Sequence, residues 1–434
     1  MTQIPPRLAN QARTLLRLLA ALRPHWRRDR DLPTRIRSLL AAEKSFGSRD
    51  RRLYRELIYT AVRYLPWIEP RLDAAPDLTV AVLAWLAADT SATAPFRAAH
   101  LDGWPPCPPD VAGQEAELRR RFGADGPLPS LLPDWFRTHC PAAFSPAELN
   151  VLQTRAPLWL RVQSGDPAPV LTEFAERGWK LTPNPLLPTA LRLETEIDVT
   201  KTDAYLSGAI EIQDLGSQLL LPTAGVAPGG HWLDACAGAG GKTLQLGALL
   251  GPAGRIDAHD IRPAALQELA DRARRAGISV VRDFKSQISS LKSNTAEVRI
   301  TPQPQGPYDT VLVDAPCSGS GTWRRAPHLK WTTTPESIAA DAARQRDLLH
   351  RFSALVKPGG RLLYATCSLS RVENDYVIAA FLAAHPDFTP APLAGALLDS
   401  RVIRDNSASL SAITLLPSRH DTDGFFIAAL MRKT

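Results

Sequence analysis

His231-Trp232-Leu233-Asp234-Ala235-Cys236-Ala237-Gly238-Ala239-Gly240-Gly241-Lys242-Thr243 is the stretch on which the fold turns. An apolar run, His231–Ala235, reads as a strand, enters a glycine-rich turn and continues as a helix over Thr243–Leu250. The same alternation follows downstream. Arg255–His259 reads as a strand, Pro263–Ala276 as a helix and Ile278–Val281 as a strand. Tyr308–Val313 is strand-like, Pro335–Val356 a long helix, Arg361–Ala365 a strand, Val372–Ala384 a helix, and Gly424–Met431 a closing apolar run. Strands and helices alternating at this spacing predict a mostly parallel, doubly wound sheet. Residues 284–307, rich in Ser, Thr, Asn and Pro, read as a loop within it.

Two known phosphate-binding motifs fail at the turn. Gly241-Lys242-Thr243 matches the tail of a P-loop, but Cys236 stands where its first glycine belongs, which weakens an ATPase reading. The spacing of Gly238, Gly240 and Gly241 also departs from the dinucleotide pattern. What remains is a glycine turn at the carboxyl edge of the first strand, where open α/β sheets bind ligands. Asp260 and Asp283 end later strands, and a carboxylate at the second strand suits ribose hydroxyls. S-adenosylmethionine (AdoMet), with a ribose and no phosphate, fits this layout; a purely structural turn is the alternative.

Five cysteines, Cys107, Cys140, Cys236, Cys317 and Cys367, form no CxxC pair, which argues against a disulfide framework or a zinc site. Cys317 lies in Asp314-Ala315-Pro316-Cys317-Ser318-Gly319-Ser320-Gly321 and Cys367 in Thr366-Cys367-Ser368, each in a polar turn just after a strand. Both thiols therefore belong at the edge of the sheet that carries the cofactor turn. A thiolate that adds to C6 of a pyrimidine makes C5 nucleophilic enough to accept a methyl group from a sulfonium. Cys107 and Cys140 read as small buried hydrophobes, and Cys236 as packing within the turn.

Ahead of the sheet, residues 1–125 read as helical, with Leu15, Leu18, Leu19 and Leu22, then Leu53, Leu57, Ile58, Ala61 and Val62, at helical steps. Residues 126–220 read as a small α+β module that includes the strand Leu158–Val162, and 221–434 as the catalytic domain. The whole chain of 434 residues carries a net charge of +7. Residues 1–64 hold fifteen Arg/Lys, fourteen of them Arg, against five Asp/Glu, so the remainder is slightly acidic. A basic helical module suggests docking to nucleic acid, with a solvated helical face as the alternative. No stretch has the roughly 18–20 apolar residues of a membrane helix, and the N-terminus lacks a secretory pattern, so a cytoplasmic protein is expected.

The run Asp314–Arg325 with Lys330-Trp331, then Leu362–Ser368 and Glu373-Asn374, resembles the signature motifs of the Nop2/Sun family of RNA cytosine-5 methyltransferases. Cys236–Thr243 resembles that family's AdoMet motif; Ile212-Gln213-Asp214-x-x-Ser217-Gln218 and Asp423-Gly424-Phe425-Phe426 match it further. Asp50–Leu57 is similar to the helical NusB-like domain of the bacterial 16S ribosomal RNA branch (Sun/RsmB-like), and Leu158–Val162 to that branch's RNA-recognition module. The resemblance implies a Rossmann-like AdoMet-dependent methyltransferase sheet preceded by an all-helical NusB-like domain and a small α+β RNA-recognition module.

Carried over motif by motif, the resemblance makes Cys367 the nucleophile and Cys317 the thiol that assists product release. Asp314 orients the base, and Lys242 lies close to base and methyl donor. The cofactor set is Cys236, Ala237, Gly238, Ala239, Gly240, Gly241, Lys242, Asp260, Arg262, Asp283 and Asp314. Arg161, Arg324, Arg325 and Lys330 are expected RNA contacts. Ala239, His328 and Gln163 stand where family members carry Pro, Asp and Asn, the last two within expected substrate contacts. The implied reaction is methylation of cytosine C5 in 16S ribosomal RNA by a monomer that needs no metal. The same chemistry on tRNA, and a non-catalytic RNA-binding assembly factor, are the alternatives; two thiols at one sheet edge argue against the latter.

Overall fold

Proline opens six of the α-helices among the described residues, Pro6–Leu22, Pro76–Leu86, Pro146–Leu152, Pro263–Arg275, Pro335–Ser353 and Pro417–His420. Its fixed φ suits a first turn whose N–H has no intrahelical partner. The computed structural model describes residues 4–281, 294–393 and 410–434. The chain divides into two compact units: residues 1–155 with 322–335, and residues 156–321 with 336–434.

The first unit holds helices joined by loops and has no strand among its described residues. Leu15, Leu18, Leu19, Leu57, Ile58 and Ala61, the positions marked by helical spacing, are fully buried in one core with Trp26, Trp67 and Trp85. The expected boundary at 125 moves to 155. Residues 126–155 form short turns, Asp134–Thr138 and Pro141–Phe144, and the helix Pro146–Leu152, and these belong to the helical unit.

Residues 322–335 also belong to this unit, although they follow the Cys317 turn in sequence. Trp323 is fully buried with its ring 4.5 Å from that of Phe136. The helix Ser48–Arg63 ends with carbonyls that lack intrahelical donors, and this segment supplies them. Lys330 Nζ donates to Arg63 O at 2.9 Å and to Gln153 Oε1 at 3.0 Å, and Trp331 Nε1 to Val62 O at 2.7 Å. Arg324 Nη2 donates to Arg155 O at 3.1 Å. The expectation that Arg324 and Lys330 contact RNA is thereby corrected: both are buried, Lys330 completely, with Arg324 Nη2 bonded to a main-chain carbonyl and Lys330 Nζ to a carbonyl and an amide oxygen. Arg325 is exposed.

The second unit holds two sheets. Strands β1 (Leu158–Val162), β2 (Leu181–Pro183), β3 (Ala190–Leu193) and β4 (Ile210–Ile212) form a small antiparallel sheet in the order β2-β3-β1-β4. The larger sheet is built from β5 (Gly230–Asp234), β6 (Gly254–Ala258), β7 (Val280–Val281), β8 (Glu297–Ile300), β9 (Tyr308–Asp314), β10 (Val356–Thr366), β11 (Phe388–Pro390), β12 (Ala412–Leu415) and β13 (Phe425–Arg432). Its order is β11-β13-β10-β9-β5-β6-β8-β7, with β12 also paired to β13. The strands from β7 to β10 pair in parallel, and β13 runs antiparallel to β10. Val311–Val313 and Leu362–Ala365 are fully buried, as expected of parallel strands covered on both faces. Chain order reverses between β5 and β9, which opens a crevice at their carboxyl ends. Within the stretch read as a loop, Glu297–Ile300 forms β8, which joins β6 and β7; of its four residues only Val298 is buried, too short an apolar signal to mark a strand.

Trp323→Ala should cost about 3–5 kcal/mol, read as a lower urea midpoint. Burial pulls the Lys330 amine well below its ordinary 10.5. The unfolded chain then binds a proton that the folded one lacks, so stability should rise with pH toward that value. Lys330→Met should abolish this slope in pH-dependent denaturation.

Candidate active site

The glycine turn after β5 is shaped by two left-handed residues, Gly238 at φ 53° and Gly240 at φ 86°. A side chain at Gly240 would also meet Leu269 at 2.7 Å, so this glycine packs the turn onto the helix Pro263–Arg275. The turn is pinned by Ala237 N to His259 O and Gly238 N to Asp260 Oδ2, each 2.9 Å. Beside it lies a cavity of about 650 Å³. Lining it are Ala235–Ala239, Gly241, Lys242, Asp260, Arg262, Asp314, Cys317 and Cys367. The structure thus assembles the expected catalytic set and most of the expected cofactor set in one place. Gly240 lies behind the surface, and Asp283 falls outside the described residues.

Asp260 is the carboxylate at the end of the second strand. Arg262 Nε and Nη2 both donate to it at 2.9 Å, as does the Arg262 N–H. Burial pushes its carboxyl up, but the Arg262 contacts and the Gly238 N–H outweigh this and hold it below the ordinary range. Asp234 is more deeply buried: Thr243 Oγ1 donates to its Oδ2 at 2.7 Å, and burial raises its carboxyl to about 7.

Across the cavity, Lys242 Nζ donates to Asp314 Oδ2 at 2.7 Å and to Ser217 Oγ at 3.2 Å. Asp314 ends β9 opposite Ala365 of β10, so the turns that carry Cys317 and Cys367 leave adjacent strands at the same edge. Their sulfurs stand 3.4 Å apart. Cys317 is pushed well above the ordinary thiol range, chiefly by its hydrogen bond to Cys367 and then by burial. Burial and neighbouring carboxylates push the Cys236 thiol up as well, in keeping with packing.

Arg161 is corrected from an RNA contact. It is buried on β1, where its Nη1 reaches Gln213 Oε1 and donates to Gly241 O at 2.6 Å, and its Nη2 donates to Gln163 Oε1 at 2.7 Å. Its guanidinium supports the glycine turn from behind; desolvation lowers its pKa to about 9. Ser217 and Gln213 were visible only as motif members, because nothing in their sequence context announces a bond to Lys242 or Arg161. Asp214 caps the helix Leu215–Thr223 and accepts from Thr422 Oγ1 at 2.6 Å, joining the two outer motifs.

Comparison with known proteins places this geometry in context. Residues 223–431 match the family model described as 16S rRNA methyltransferase RsmB/F. The chain is similar to the ribosomal RNA small subunit methyltransferase B of Xanthomonas campestris pv. campestris, with 30% identity across 75% of this chain and 72% of that one. It is similar to a probable ribosomal RNA small subunit methyltransferase B of Bacillus subtilis at 30% identity, over 67% of this chain; the match spans 63% of that relative's length. In fold it resembles the crystal structure of PH0851, with a TM-score of 0.67 at 23% identity over 99% of each chain.

At neutral pH, iodoacetamide should label Cys317 and Cys236 more slowly than it labels free cysteine, since the hydrogen bond to Cys367 raises the first thiol and burial the second. Peptide mapping by mass spectrometry checks the rates.

Proposed function

The chain belongs to the RsmB/F family of 16S rRNA methyltransferases, and on that premise we propose that it methylates C5 of a cytosine in 16S ribosomal RNA through a covalent cysteine adduct. The observation that carries this reading is the pair of sulfurs 3.4 Å apart in the cavity that also holds the Lys242–Asp314 ion pair and the glycine turn. A binding protein has no chemical use for two thiols so placed. The cavity fits AdoMet as the cofactor: Asp260 is a ribose-type carboxylate, and the turn offers no P-loop cradle for phosphates. Cys236–Gly241, Lys242, Asp260 and Arg262 would hold it, and when bound it supplies an electrophilic sulfonium methyl group.

The chain's own residues do the rest. Cys367 adds as thiolate to C6, which moves electron density onto C5. Asp314 accepts from the exocyclic amine of cytosine, a donor that uracil lacks, and Lys242 holds the Asp314 carboxylate in place. After transfer, the C5 proton must leave as the C6–S bond opens and returns the electron pair to Cys367. With Cys367 tied up in the adduct, the hydrogen bond that chiefly raised Cys317 is gone; Cys317 then gives its own proton to solvent and is the base adjacent to that bond. The target base is flipped out of its stack, because C6 is inaccessible within a helix.

RNA docking falls to the Arg-rich helical unit, which we read as NusB-like, and to the small sheet, which we read as the RNA-recognition module. Arg13, Arg28, Arg37, Arg52 and Arg55 are exposed on the former, and Arg325 is exposed past the Cys317 turn. Contacts to phosphate make such binding fall steeply with salt. No helix among the described residues is long and apolar enough to cross a membrane, and we place the protein in the cytoplasm as a monomer.

The test is a covalent trap with unmodified 16S RNA and AdoMet. Cys317→Ala should give a denaturation-resistant protein–RNA band; Cys367→Ala should give neither band nor 5-methylcytosine. Methylation by Cys367→Ala would remove the nucleophile assignment. Product on tRNA but not on 16S RNA would keep the chemistry and change the substrate, and RNA binding by wild type with no product on either would mark an assembly factor.

A further inference from the structure

We propose that Glu373 is a positioning residue whose buried carboxylate staples the Cys317 turn to the Cys367 turn and so sets the spacing at which both sulfurs meet one base. This inference rests on the two-thiol reading above. Glu373 is fully buried, yet its four hydrogen-bond donors among the described residues are all neutral. Its Oε1 accepts from Ser318 N at 2.7 Å and from Gln345 Nε2 at 3.1 Å. Its Oε2 accepts from Ser318 Oγ at 2.5 Å and from Ser368 Oγ at 2.6 Å.

Ser318 and Ser368 directly follow Cys317 and Cys367, so one carboxylate grips the residue after each sulfur. A second layer of bonds repeats the connection. Ser320 Oγ lies 2.9 Å from Ser368 Oγ and accepts from Leu369 N at 2.9 Å. Gly321 N donates to Cys367 O at 2.9 Å. A side chain at Gly321 would stand 2.0 Å from Gly424 O, so this close approach admits only glycine.

The choice of a carboxylate has a physical reason. It is an acceptor only, and both hydroxyls must turn their protons toward it. Ser368 Oγ is then free to accept from Ser370 N at 3.0 Å, which fixes the polarity of the whole cluster. Burying that carboxylate is costly unless all its donors are in place together. The two turns therefore hold one relative position and do not slide. Tyr364 and Asn374 secure the base of the staple: Tyr364 Oη donates to Glu373 O at 2.6 Å, and Asn374 Nδ2 to Ser368 O at 2.9 Å.

Two readouts test the proposal on the full chain. The first is binding of phenylarsine oxide, which joins two nearby thiols with loss of water and needs neither RNA nor cofactor. Wild type should bind it tightly, and Cys317→Ala or Cys367→Ala should not. Glu373→Ala should bind about tenfold more weakly, the worth of one strong charge-assisted contact. Glu373→Gln should recover most of the binding, since its carbonyl keeps Ser318 N and Gln345 while the hydroxyls turn to accept from its amide. The second readout is turnover on 16S RNA. In Glu373→Ala, kcat should fall on the order of 100-fold with the KM for AdoMet unchanged, as for a misplaced reacting group. A larger share of enzyme should then remain as adduct, because release depends on Cys317.

Glu373→Ala that binds the arsenical as tightly as wild type overturns the proposal. So does a parallel loss of AdoMet affinity and kcat, which marks general support of the fold. If Glu373→Ala does not fold, Ser368→Ala decides by the same two outcomes. Arsenical binding that follows these expectations in a protein with no methyltransferase activity would keep the staple and remove the functional reading.

Discussion

The parallel pairing of β9 with β10, in a register that sets Asp314 opposite Ala365, is the constraint from which the site follows. Cys317 lies three residues past Asp314, and Cys367 two past Ala365. Parallel neighbours leave the sheet at one edge about 4.8 Å apart, whereas antiparallel neighbours would send the two turns to opposite edges. Pairing of β5 with β9 on the other side, with Asp234 opposite Leu312, brings the glycine turn to the same edge. The fully buried runs Val311–Val313 and Leu362–Ala365 hold this register, because a slip by one residue would strand every contact along both strands. Three strand ends thus deliver the glycine turn, Asp314 and both thiols to one cavity.

The central strands and the three turns were legible because buried parallel strands are nearly continuous apolar runs bounded by glycine and polar residues. The strand Leu158–Val162 has the same bounds in sequence and structure. Legibility failed where position in space, not local pattern, decides. Glu297–Ile300 is a strand only because β6 and β7 flank it. The boundary at 155 was hidden because the short turns of residues 134–144 carry no periodicity, and their place in the helical unit is fixed by tertiary contacts such as those of fully buried Phe136. Nothing local told that residues 322–335, between two elements of the large sheet, fold with the helices.

The misread cations share one cause. Arg161, Arg324 and Lys330 sit in motifs beside the candidate site, and a basic residue there invites an electrostatic reading. The structure uses each as a donor instead. Arg161 serves Gly241 O beneath the cofactor turn, and Lys330 serves the last carbonyl of the helix Ser48–Arg63. The exposed arginines of residues 1–64 differ in kind, since their guanidiniums face solvent and several pair with acids at the surface, as Arg17 does with Glu43. Composition counts both kinds equally, and only burial separates them.

The same physics governs the buried anion. Lys330 and Glu373 are both fully inaccessible, and each is held by neutral partners: carbonyl and amide oxygens for the amine, hydroxyl, amide and main-chain N–H groups for the carboxyl group. An ion pair would tolerate some drift, because Coulomb attraction falls slowly with distance. Neutral hydrogen bonds weaken steeply off their preferred geometry. A buried ionisable group satisfied only in this way tolerates little drift. Such a group contributes less to net stability than to uniqueness, and it belongs where two segments must keep one spacing. In this chain those places are the excursion of residues 322–335 and the two cysteine turns.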